Sequence, residues 1–243
     1  MYIGLTAMED KKEQNRLKAV QRYLDFNKDR QKDLQEIVML ASVICNSPIA
    51  LITLMEYDLQ LIKAKVGIDV EEMPRSTSFC THAIKIDEVM VVKDASQDER
   101  FSHAPVVAND PHIRFYASAN LKSYDGYNVG TLCVYDVKPK DLSDEQVQCL
   151  SALANQVSHI MELDRSLNQV KEQNNILREI AFIQSHELRQ PVASIMGTMK
   201  LIKDSQQIED QEYLSILDDS VNQLDERIKT IVKRINHFSD TEP

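Results

Sequence analysis

The apolar residues near the start of the chain recur at helical spacing in two consecutive segments. The first segment, residues 9–30, is highly charged and carries its apolar residues at Leu17, Val20 and Leu24. The second segment, residues 32–45, carries them at Leu34, Ile37, Val38, Ala41 and Ile44. We expect an exposed amphipathic helix followed by a second helix that ends before Pro48. The first helix could equally pair with its copy in a second subunit.

Between residues 49 and 137 the apolar runs become short and β-rich, which is typical of strands. The predicted strands comprise residues 49–55, 59–66, 89–92, 112–121 and 128–137. The turn Tyr124-Asp125-Gly126 joins the last two, because Asp-Gly tolerates the positive φ that tight hairpins require. Residues 67–78 are predicted to form a loop, and Ser78 could cap a short helix over residues 79–85. These elements predict an α+β domain with five or six antiparallel strands and helices at both ends.

A seven-residue apolar repeat extends from about residue 160 to residue 202. One seam is formed by Ile160, Leu167, Asn174, Ala181, Leu188, Ile195 and Ile202. The second seam is formed by Leu163, Val170 and Leu177, is interrupted at Gln184 and Pro191, and resumes with Val192 and Met199. This pattern predicts a coiled coil that leads directly into a helix of a bundle. Ser143 and Gln146 have the capping-box spacing that begins a long helix before it.

The predicted linker over residues 161–178 contains no glycine or proline, so we expect a rigid helix there. Asn174 lies on the seam itself, where a buried asparagine favours a parallel two-stranded coiled coil in a fixed register. Such a linker could pass a change in the preceding domain onward by rotation or sliding of the paired helices. It could equally be a passive stalk that holds two subunits together.

A second helix with a clean apolar stripe follows a predicted loop over residues 204–210. The stripe consists of Leu214, Leu217, Val221, Leu224, Ile228, Ile231, Ile235 and Phe238. One hairpin cannot bury this stripe alone, whereas two hairpins from two subunits form a four-helix bundle. Burial of each leucine or isoleucine contributes about 1.5–3 kcal/mol. We therefore predict a homodimer.

Composition and charge argue against several classes of protein. The formal net charge of −10 makes nucleic acid an unsuitable main partner, because phosphate binding requires clustered lysine and arginine. There is no run of 18 apolar residues and no basic start followed by an apolar core, so neither a membrane span nor a secretory signal is expected. Widely spaced cysteines without zinc-like pairing predict no metal site; they are Cys45, Cys80, Cys133 and Cys149. We expect a reduced, cytoplasmic protein.

His186 and Glu187 lie inside the heptad stretch, next to a disturbance of the helical pattern. On the register given above, His186 points away from the seam and into solvent. Pro191 has no N–H, so the carbonyl of Glu187 loses its helical partner and a kink is expected. A solvent-facing imidazole beside a carboxylate is placed to react, although a lone histidine on a helix can equally be a polar surface residue.

The stretch Ser185-His186-Glu187-Leu188-Arg189-Gln190-Pro191 resembles the phosphoacceptor box in the dimerisation and phosphotransfer domain of sensor histidine kinases. The resemblance implies that His186 is phosphorylated and that Glu187 holds the ring and takes up its proton. Arg189 could steady phosphate oxygens or could be solvated. Gln190 stands where many of these kinases carry threonine or asparagine to position a hydrolytic water, which argues against that type of phosphatase activity. The implied partner is the receiver domain of a response regulator.

The chain contains no Gly-rich nucleotide loop and no Asp-x-Gly-x-Gly block, which the resemblance would place in an ATP-binding domain. We therefore expect this polypeptide alone to bind neither ATP nor Mg²⁺. An ATP-binding domain would act in cis, if the chain is part of a longer kinase, or in trans, if a separate protein supplies it.

Four further blocks resemble the signature blocks of a GAF domain and occur in that family's order. They comprise residues 78–84, 98–101, 111–117 and 130–136. Asn120 departs from the pattern, because bacterial GAF sequences of this kind often carry proline there. The resemblance implies an antiparallel sheet flanked by helices that enclose a small pocket. The residues expected to line this pocket are Cys80, His82, Asp94, Phe101, Arg114, Tyr116, Thr131 and Cys133.

Each of these pocket residues also has a purely structural interpretation. Cys80 and Cys133 could be reactive thiols or small buried hydrophobes. His82 could be a hydrogen-bonded structural residue or a ligand. Arg114 could bind an anion, or could pair with one of two aspartates, Asp94 or Asp98. A bilin attached at Cys80 or a haem on His82 would fit the family, but the residues themselves name no ligand.

These features together predict four regions. They are an N-terminal helix over residues 1–31, a GAF sensor domain over 32–160, a coiled-coil linker over 161–178 and a phosphotransfer hairpin over 179–243. The leading hypothesis is the sensory and phosphoacceptor portion of a cytoplasmic two-component histidine kinase. Two alternatives stay open: a non-enzymatic, dimeric GAF scaffold, and a stand-alone histidine phosphotransfer protein.

Overall fold

The computed structural model describes residues 3–26, 30–182, 188–205 and 211–239. The chain forms two compact units, Met1–Asn168 and Gln169–Pro243. The first unit contains a β-sheet with its flanking helices, and the second is helical throughout its described residues. The α+β class predicted from the sequence is confirmed.

The first unit alternates between helices and strands. Its helices are α1 (Ile3–Gln21), α2 (Gln31–Ile44), α3 (Cys80–Ala83), α4 (Pro105–Ala108) and α5 (Asp144–Phe182), the last of which extends into the second unit. Its strands are β1 (Ile49–Met55), β2 (Leu59–Val66), β3 (Glu72–Pro74), β4 (Met90–Val92), β5 (Phe115–Lys122) and β6 (Asn128–Asp136). A 3-10 turn spans Arg75–Thr77.

The six strands form one antiparallel sheet in the order β3-β2-β1-β6-β5-β4. The β1–β2 and β5–β6 pairs are hairpins, as the sequence predicts. Gly126 in the second hairpin has a φ of 83°, a conformation that costs glycine little. Gly130 lies where β6 approaches β1 closely, because a Cβ there would be 1.9 Å from the carbonyl oxygen of Thr53.

Both faces of the sheet are buried, with alternate residues of each strand contributing to opposite cores. One core packs against α1, α2 and α5 and receives from β1 the side chains of Ala50, Ile52 and Leu54. The other core lies under α3 and α4 and receives from β1 the side chains of Ile49, Leu51 and Met55. Burial on two sides explains why this strand is an unbroken apolar run and shows no alternation of polar and apolar residues.

The expectation that the N-terminal helix is exposed is wrong. Helix α1 ends at Gln21, and its last turns pack into the first core, where Ala19, Val20 and Tyr23 are buried. Arg16 is buried as well. Its Nη1 donates to the carbonyl oxygen of Met55 at 2.7 Å, which replaces a hydrogen bond to water. The apolar side of α1 therefore packs against the sheet of its own chain.

Three local predictions differ from the structure in extent. The predicted loop over residues 67–78 contains the short edge strand β3. Strand β5 begins at Phe115, after His112, whose φ of 60° takes the backbone out of the extended region. The helix predicted over residues 79–85 is the single turn α3, where the Ser78 hydroxyl accepts the Cys80 N–H at 3.0 Å. The N-cap residue is Phe79, however, so Ser78 lies one residue before the capping position.

The capping box at the start of α5 is confirmed. The amide of Ser143 donates to Gln146 Oε1 at 3.0 Å, and the amide of Gln146 donates to the Ser143 hydroxyl at 3.3 Å. The Gln146 amide group also donates to the carbonyl oxygen of Ile44 at the end of α2, at 2.8 Å. The first turn of α5 is thus hydrogen-bonded to the C-terminal end of α2.

The second unit contains helices α6 (Arg189–Ser205) and α7 (Gln211–Ser239), which pack against each other. The Ser220 hydroxyl of α7 donates to the Ser194 hydroxyl of α6 at 3.1 Å. Pro191 occupies the first turn of α6, where a helix needs no N–H from it. The kink predicted at the carbonyl of Glu187 lies outside the described residues, as do residues 206–210 of the predicted loop.

The hairpin leaves much of the predicted apolar stripe of α7 uncovered. Leu214, Val221 and Ile228 are 55%, 50% and 46% exposed. The side chains of Ile231, Ile235 and Phe238 lie outside the described part of the structure. In the described ranges, no helix combines the length and the apolar character that crossing a bilayer requires.

Candidate functional site

Of the four residues predicted to take part in phosphotransfer, two are among the described residues. His186 and Glu187 lie outside the described residues. Arg189 and Gln190 are the first residues of α6, and both are exposed to solvent. Their predicted roles rest on the sequence motif and stay predictions.

A cluster of predicted pocket residues does come together in the first unit, beneath α3. Five of the eight predicted residues are fully or almost fully buried on one face of the sheet: Cys80, Phe101, Tyr116, Thr131 and Cys133. The strand neighbours β5 and β6 supply three of them, and α3 supplies Cys80. We call this group, together with Gln60 and Tyr135, the cysteine cluster.

The sulfur of Cys80 is the centre of the cysteine cluster. It accepts hydrogen bonds from the hydroxyl of Thr131 at 3.2 Å, the hydroxyl of Tyr116 at 3.3 Å and the side-chain amide of Gln60 at 3.5 Å. The Tyr135 hydroxyl lies 3.7 Å away and the sulfur of Cys133 lies 3.9 Å away. A thiol sulfur with this many polar neighbours is unusual for a cysteine in a hydrophobic core.

The electrostatics of the two thiols differ because their neighbours differ. Burial by itself opposes ionisation of Cys80, but the hydrogen bonds from Cys133, Thr131, Tyr116 and Tyr135 outweigh it and lower the pKa of the Cys80 thiol to about 6. Burial raises the pKa of Cys133, and its proximity to Cys80 raises it further. Cys80 is thus the more acidic thiol of the pair.

Aromatic rings cover the cysteine cluster on its outer side. The rings of Phe79 and Phe101 are stacked with centroids 4.2 Å apart, and Tyr116 lies 5.0 Å from Phe79. The imidazole of His82 meets the ring of Phe101 edge-on at 5.1 Å. Burial lowers the pKa of His82, and the charges of Lys85 and Arg100 act in the same direction. His82 therefore packs on the outside of the ring layer as a neutral residue at pH 7.

Asp94 and Arg114 lie apart from the cysteine cluster, and each is used locally. Asp94 accepts hydrogen bonds from the amide and the hydroxyl of Ser96, at 3.0 and 2.7 Å. Arg114 donates through Nη1 to the carbonyl oxygens of Val107 and Ile113, at 2.9 and 3.0 Å. Arg114 therefore supports the backbone around α4, in place of the ion pair considered from the sequence.

Sequence reasoning missed two members of the cysteine cluster, Gln60 and Tyr135. Tyr135 lies two residues after Cys133 on β6, so the two-residue period of a strand places both on one face. Gln60 occupies the same face of β2 as the buried Ile62 and is itself fully buried. Its Oε1 has no hydrogen-bond partner among the described residues. The strand period could have indicated both.

A small apolar cavity borders the cysteine cluster. Its volume is about 40 Å³, and its wall includes Ile49, Leu51, Phe79, Ile113 and Tyr135. None of the eight predicted pocket residues lines it. A single buried water requires roughly 10–15 Å³ of cavity volume, whereas drug-sized ligands occupy pockets of roughly 300–1,000 Å³. The cavity as it stands does not accommodate a bilin or a haem.

Among the described residues there is no group of three or more His, Cys, Asp or Glu side chains that could hold a metal ion. The four cysteines are free thiols, of which Cys149 is exposed and the others are buried. The chemically distinctive feature of the described structure is therefore the cysteine cluster.

Two family models match the chain in succession. The GAF domain model matches residues 29–161, more than half of the chain, and the His Kinase A (phospho-acceptor) domain model matches residues 177–242. The chain belongs to the GAF domain family, and it carries a phospho-acceptor domain after the GAF domain. His186, Glu187, Arg189 and Gln190 all fall within the second match. This combination of domains is that of two-component signalling by a histidine kinase.

A curated relative is a cyclic di-GMP phosphodiesterase of Pseudomonas aeruginosa, which is 35% identical to this chain over 156 residues. The match covers 64% of this chain and 27% of the relative. The chain thus spans about a quarter of the length of the curated relative it matches.

Solved structures with a similar fold are more distant in sequence. A type II free methionine-R-sulfoxide reductase from Thermoplasma acidophilum is 14% identical, with a TM-score of 0.48 over 56% of this chain and 95% of that chain. The GAF domain from an Acinetobacter phosphoenolpyruvate-protein phosphotransferase is 15% identical, with a TM-score of 0.48 over 64% of this chain and 96% of that chain.

Proposed function

We propose that this chain is the sensory and phosphoacceptor portion of a two-component histidine kinase, in which His186 accepts the phosphoryl group. The observation that carries the proposal is the phospho-acceptor match at residues 177–242, which encloses the His186-Glu187 pair and follows the GAF domain. The GAF domain is the sensor, and a response regulator receiver domain takes the phosphoryl group from His186.

The chemistry required of His186 is simple. An imidazole with an unperturbed pKa of about 6.5 is mostly neutral at pH 7, so a ring nitrogen is available as a nucleophile. An ATP-binding domain, in cis or in trans, supplies ATP and Mg²⁺, which neutralises the phosphate charge during transfer. Glu187, adjacent in sequence, receives the proton that the ring gives up. Arg189 is exposed at the start of α6 and is available to the transferred phosphate oxygens.

Exposed apolar stripes on α5 and α7 support a homodimeric form of the chain. On α5 the exposed residues Leu163, Val170 and Leu177 follow the predicted seven-residue repeat. On α7 the exposed stripe includes Val221 and Ile228. Pairing two chains along these stripes would bury apolar surface that a single hairpin leaves in water, as in a four-helix bundle with a coiled-coil stalk.

Helix α5 provides a covalent route from the sensor to the acceptor. It is one helix from Asp144 to Phe182 and includes the predicted linker over residues 161–178. Its Glu162 accepts hydrogen bonds from the Tyr23 hydroxyl and from the amide of Tyr124 in the β5–β6 turn. A rearrangement of the β5–β6 turn would therefore act on the helix that precedes the acceptor domain.

Phosphorylation assays with the full chain test the proposal. The protein is incubated with radiolabelled ATP, Mg²⁺ and the ATP-binding domain of a histidine kinase supplied in trans, and then with a receiver domain. We expect an acid-labile label on the wild type and on His159→Gln, which changes an exposed histidine of α5. The label is lost in His186→Gln. Label that persists in His186→Gln would contradict the proposal.

The same assay separates the two alternatives. A stand-alone phosphotransfer protein takes label from a phosphorylated receiver domain but none from the ATP-binding domain. A non-enzymatic GAF scaffold takes label from neither. The 35% identity to part of a cyclic di-GMP phosphodiesterase favours the scaffold as the second candidate, because a related region occurs there in a protein of different activity.

A further inference from the structure

Two thiols of the GAF domain face each other inside its core. The sulfurs of Cys80 and Cys133 are 3.9 Å apart, and both side chains are fully buried. We propose that Cys80 and Cys133 are an oxidation site that closes into a disulfide when a small neutral peroxide enters the domain. This inference does not depend on phosphorylation of His186.

The separation of the two sulfurs suits a disulfide. A disulfide bond is about 2.05 Å long, so the sulfurs are in contact and have to approach by about 2 Å. The two residues lie on different elements, Cys80 at the start of α3 and Cys133 in the middle of β6. Helix α3 is a single turn between loops, whereas β6 is paired on both sides. The approach therefore requires adjustment on the side of α3.

Buried thiols are ordinarily inert, so reactivity requires a specific cause. For Cys80 that cause is the set of donors aimed at its sulfur, from Thr131, Tyr116 and Gln60. Hydrogen bonds to the charged form favour the thiolate, which is the nucleophile in thiol oxidation. The Cys133 sulfur lies 3.6 Å from the carbonyl oxygen of Leu51 as well as 3.9 Å from Cys80, and burial raises its pKa, so that it remains a thiol. Cys80 is thus the attacking residue and Cys133 the resolving residue.

The reaction balances with hydrogen peroxide as the oxidant. The Cys80 thiolate attacks one peroxide oxygen and the O–O bond breaks, which gives a Cys80 sulfenic acid and hydroxide, the latter leaving as water after protonation. The Cys133 sulfur then attacks the Cys80 sulfur and displaces hydroxide, which takes the Cys133 proton and leaves as a second water. The two cysteines lose two electrons and the peroxide gains them. A dithiol reductant, such as a thioredoxin-type protein, reverses the step.

The cavity beside the cluster can bring a small oxidant only as far as Tyr135, because neither cysteine lines its wall. Tyr135 lines the cavity, and its hydroxyl lies 3.7 Å from the Cys80 sulfur and 3.8 Å from the Cys133 sulfur. A volume of about 40 Å³ exceeds the roughly 10–15 Å³ that a single buried water requires, so the cavity can hold a molecule of the size of hydrogen peroxide. The cavity wall is almost wholly apolar, which favours a neutral peroxide over a charged oxidant.

Peptide mapping of the full-length protein tests the inference directly. The reduced protein is titrated with hydrogen peroxide, its remaining thiols are alkylated under denaturing conditions, and it is digested with trypsin without reduction. Cleavage after lysine and arginine places each cysteine in its own peptide, with Cys80 in residues 76–85 and Cys133 in residues 123–140. We expect these two peptides to become cross-linked, with the loss of two hydrogens. A cross-link between Cys45 and Cys149 alone, oxidation confined to Cys149, or a Cys80 sulfinic acid without a cross-link would each overturn the inference.

Variants distinguish a reactive Cys80 from an inert buried thiol. In Cys133→Ser, the Cys80 sulfenic acid has no resolving partner and is trapped by dimedone. In Thr131→Val, loss of one donor slows cross-linking at least threefold at pH 7, and the rate regains its wild-type value at higher pH. The control Cys149→Ser, which removes the exposed thiol, leaves the rate unchanged. A cross-linking rate of Thr131→Val that equals the wild-type rate at every pH would overturn the assignment of Cys80 as the attacking thiol. If a variant does not fold, peptide mapping of the wild type still decides the question.

Discussion

Tyr23, two residues beyond the end of α1, donates its hydroxyl to the carboxylate of Glu162 on α5. The same carboxylate accepts the amide of Tyr124 at 2.8 Å and the Nε of Arg165 at 3.0 Å. The N-terminal segment, the β5–β6 turn and the long helix therefore meet at one acid. Because α5 continues to Phe182, this acid holds the GAF domain to the helix that leads toward the phospho-acceptor domain.

Replacement of this acid should cost stability in a pH-dependent way. Burial opposes ionisation of Glu162, but the bonds from Tyr23, Tyr124 and Arg165 outweigh it and lower its pKa. A lowered folded-state pKa means that the ionised acid stabilises the fold above its unfolded pKa of about 4.3 and loses that effect as pH falls through the folded pKa. Glu162→Gln is expected to lower the free energy of unfolding by about 1–2 kcal/mol at pH 7.

Urea unfolding followed by tyrosine near-ultraviolet circular dichroism measures the effect of Glu162→Gln. The difference from wild type should narrow once the pH falls below about 4. Glu88→Gln, at an exposed position in the loop before β4, is the control and should match the wild type. A loss that is the same at pH 7 and at pH 3.5 would contradict the role given to the charge of Glu162.

Asn120, where the sequence departs from the common GAF pattern, holds the segment that carries Cys80. Its side-chain amide donates to the carbonyl oxygens of Ala83 and Ile86, at 3.2 and 2.5 Å. A proline could make neither bond. Asn120→Ala removes one buried and one partly buried hydrogen bond, so we expect a loss of about 1–3 kcal/mol in thermal or urea unfolding. Asn155→Ala, at an exposed position of α5, should differ from wild type by less than about 0.5 kcal/mol.

Gly130 marks the closest approach between β1 and β6. The 1.9 Å between a Cβ at this position and the Thr53 carbonyl oxygen can be relieved only by separation of the two strands. We expect Gly130→Ala to destabilise the GAF domain by about 3 kcal/mol. In Gly126→Ala the added Cβ meets nothing within 4 Å. Only the positive φ destabilises this variant, by about 1 kcal/mol. Equal melting temperatures for the two variants would show that the close approach does not exist.

The exposed stripe of α7 predicts the oligomeric state. The chain has a mass of 27.8 kDa, and sedimentation equilibrium is expected to give twice this value. Val221→Asp places a charge on the stripe and should shift the protein toward the monomer. Asn222→Asp adds the same charge at the neighbouring exposed position off the stripe and should leave the dimer intact. A monomeric wild type, or equal effects of the two variants, would contradict the proposed bundle.

Two of the strands could be predicted closely because the residues of each strand and its turn specify them. Strands β1 and β2 begin and end at the predicted residues, since a doubly buried apolar run and a hairpin turn leave little choice of register. Helix α1 was misjudged for the opposite reason. Its charged sequence indicates a helix but does not reveal that Arg16 is satisfied in the core by the Met55 carbonyl, 39 residues away in sequence.

The candidate site was predictable only in part. Cys80, Tyr116 and Cys133 were identified from motif blocks, and the sheet does bring them together. Gln60 is not indicated by the sequence because a polar residue in a strand ordinarily faces solvent, and its side chain is used by the non-local hydrogen bond to Cys80 of α3. For Arg114 the sequence leaves anion binding and aspartate pairing open, and it cannot show that Nη1 donates to two backbone carbonyl oxygens.

The central claim is that His186 carries the phosphoryl group, and locating the phosphate tests it most directly. The full chain is phosphorylated as described above, digested at neutral pH and sequenced by electron-transfer mass spectrometry, which preserves the acid-labile phosphoramidate. The expected result is a single phosphorylated site at His186, which disappears in His186→Gln and transfers to a receiver domain. Phosphate at another histidine, or none on a protein that is folded and dimeric, would contradict the proposed function.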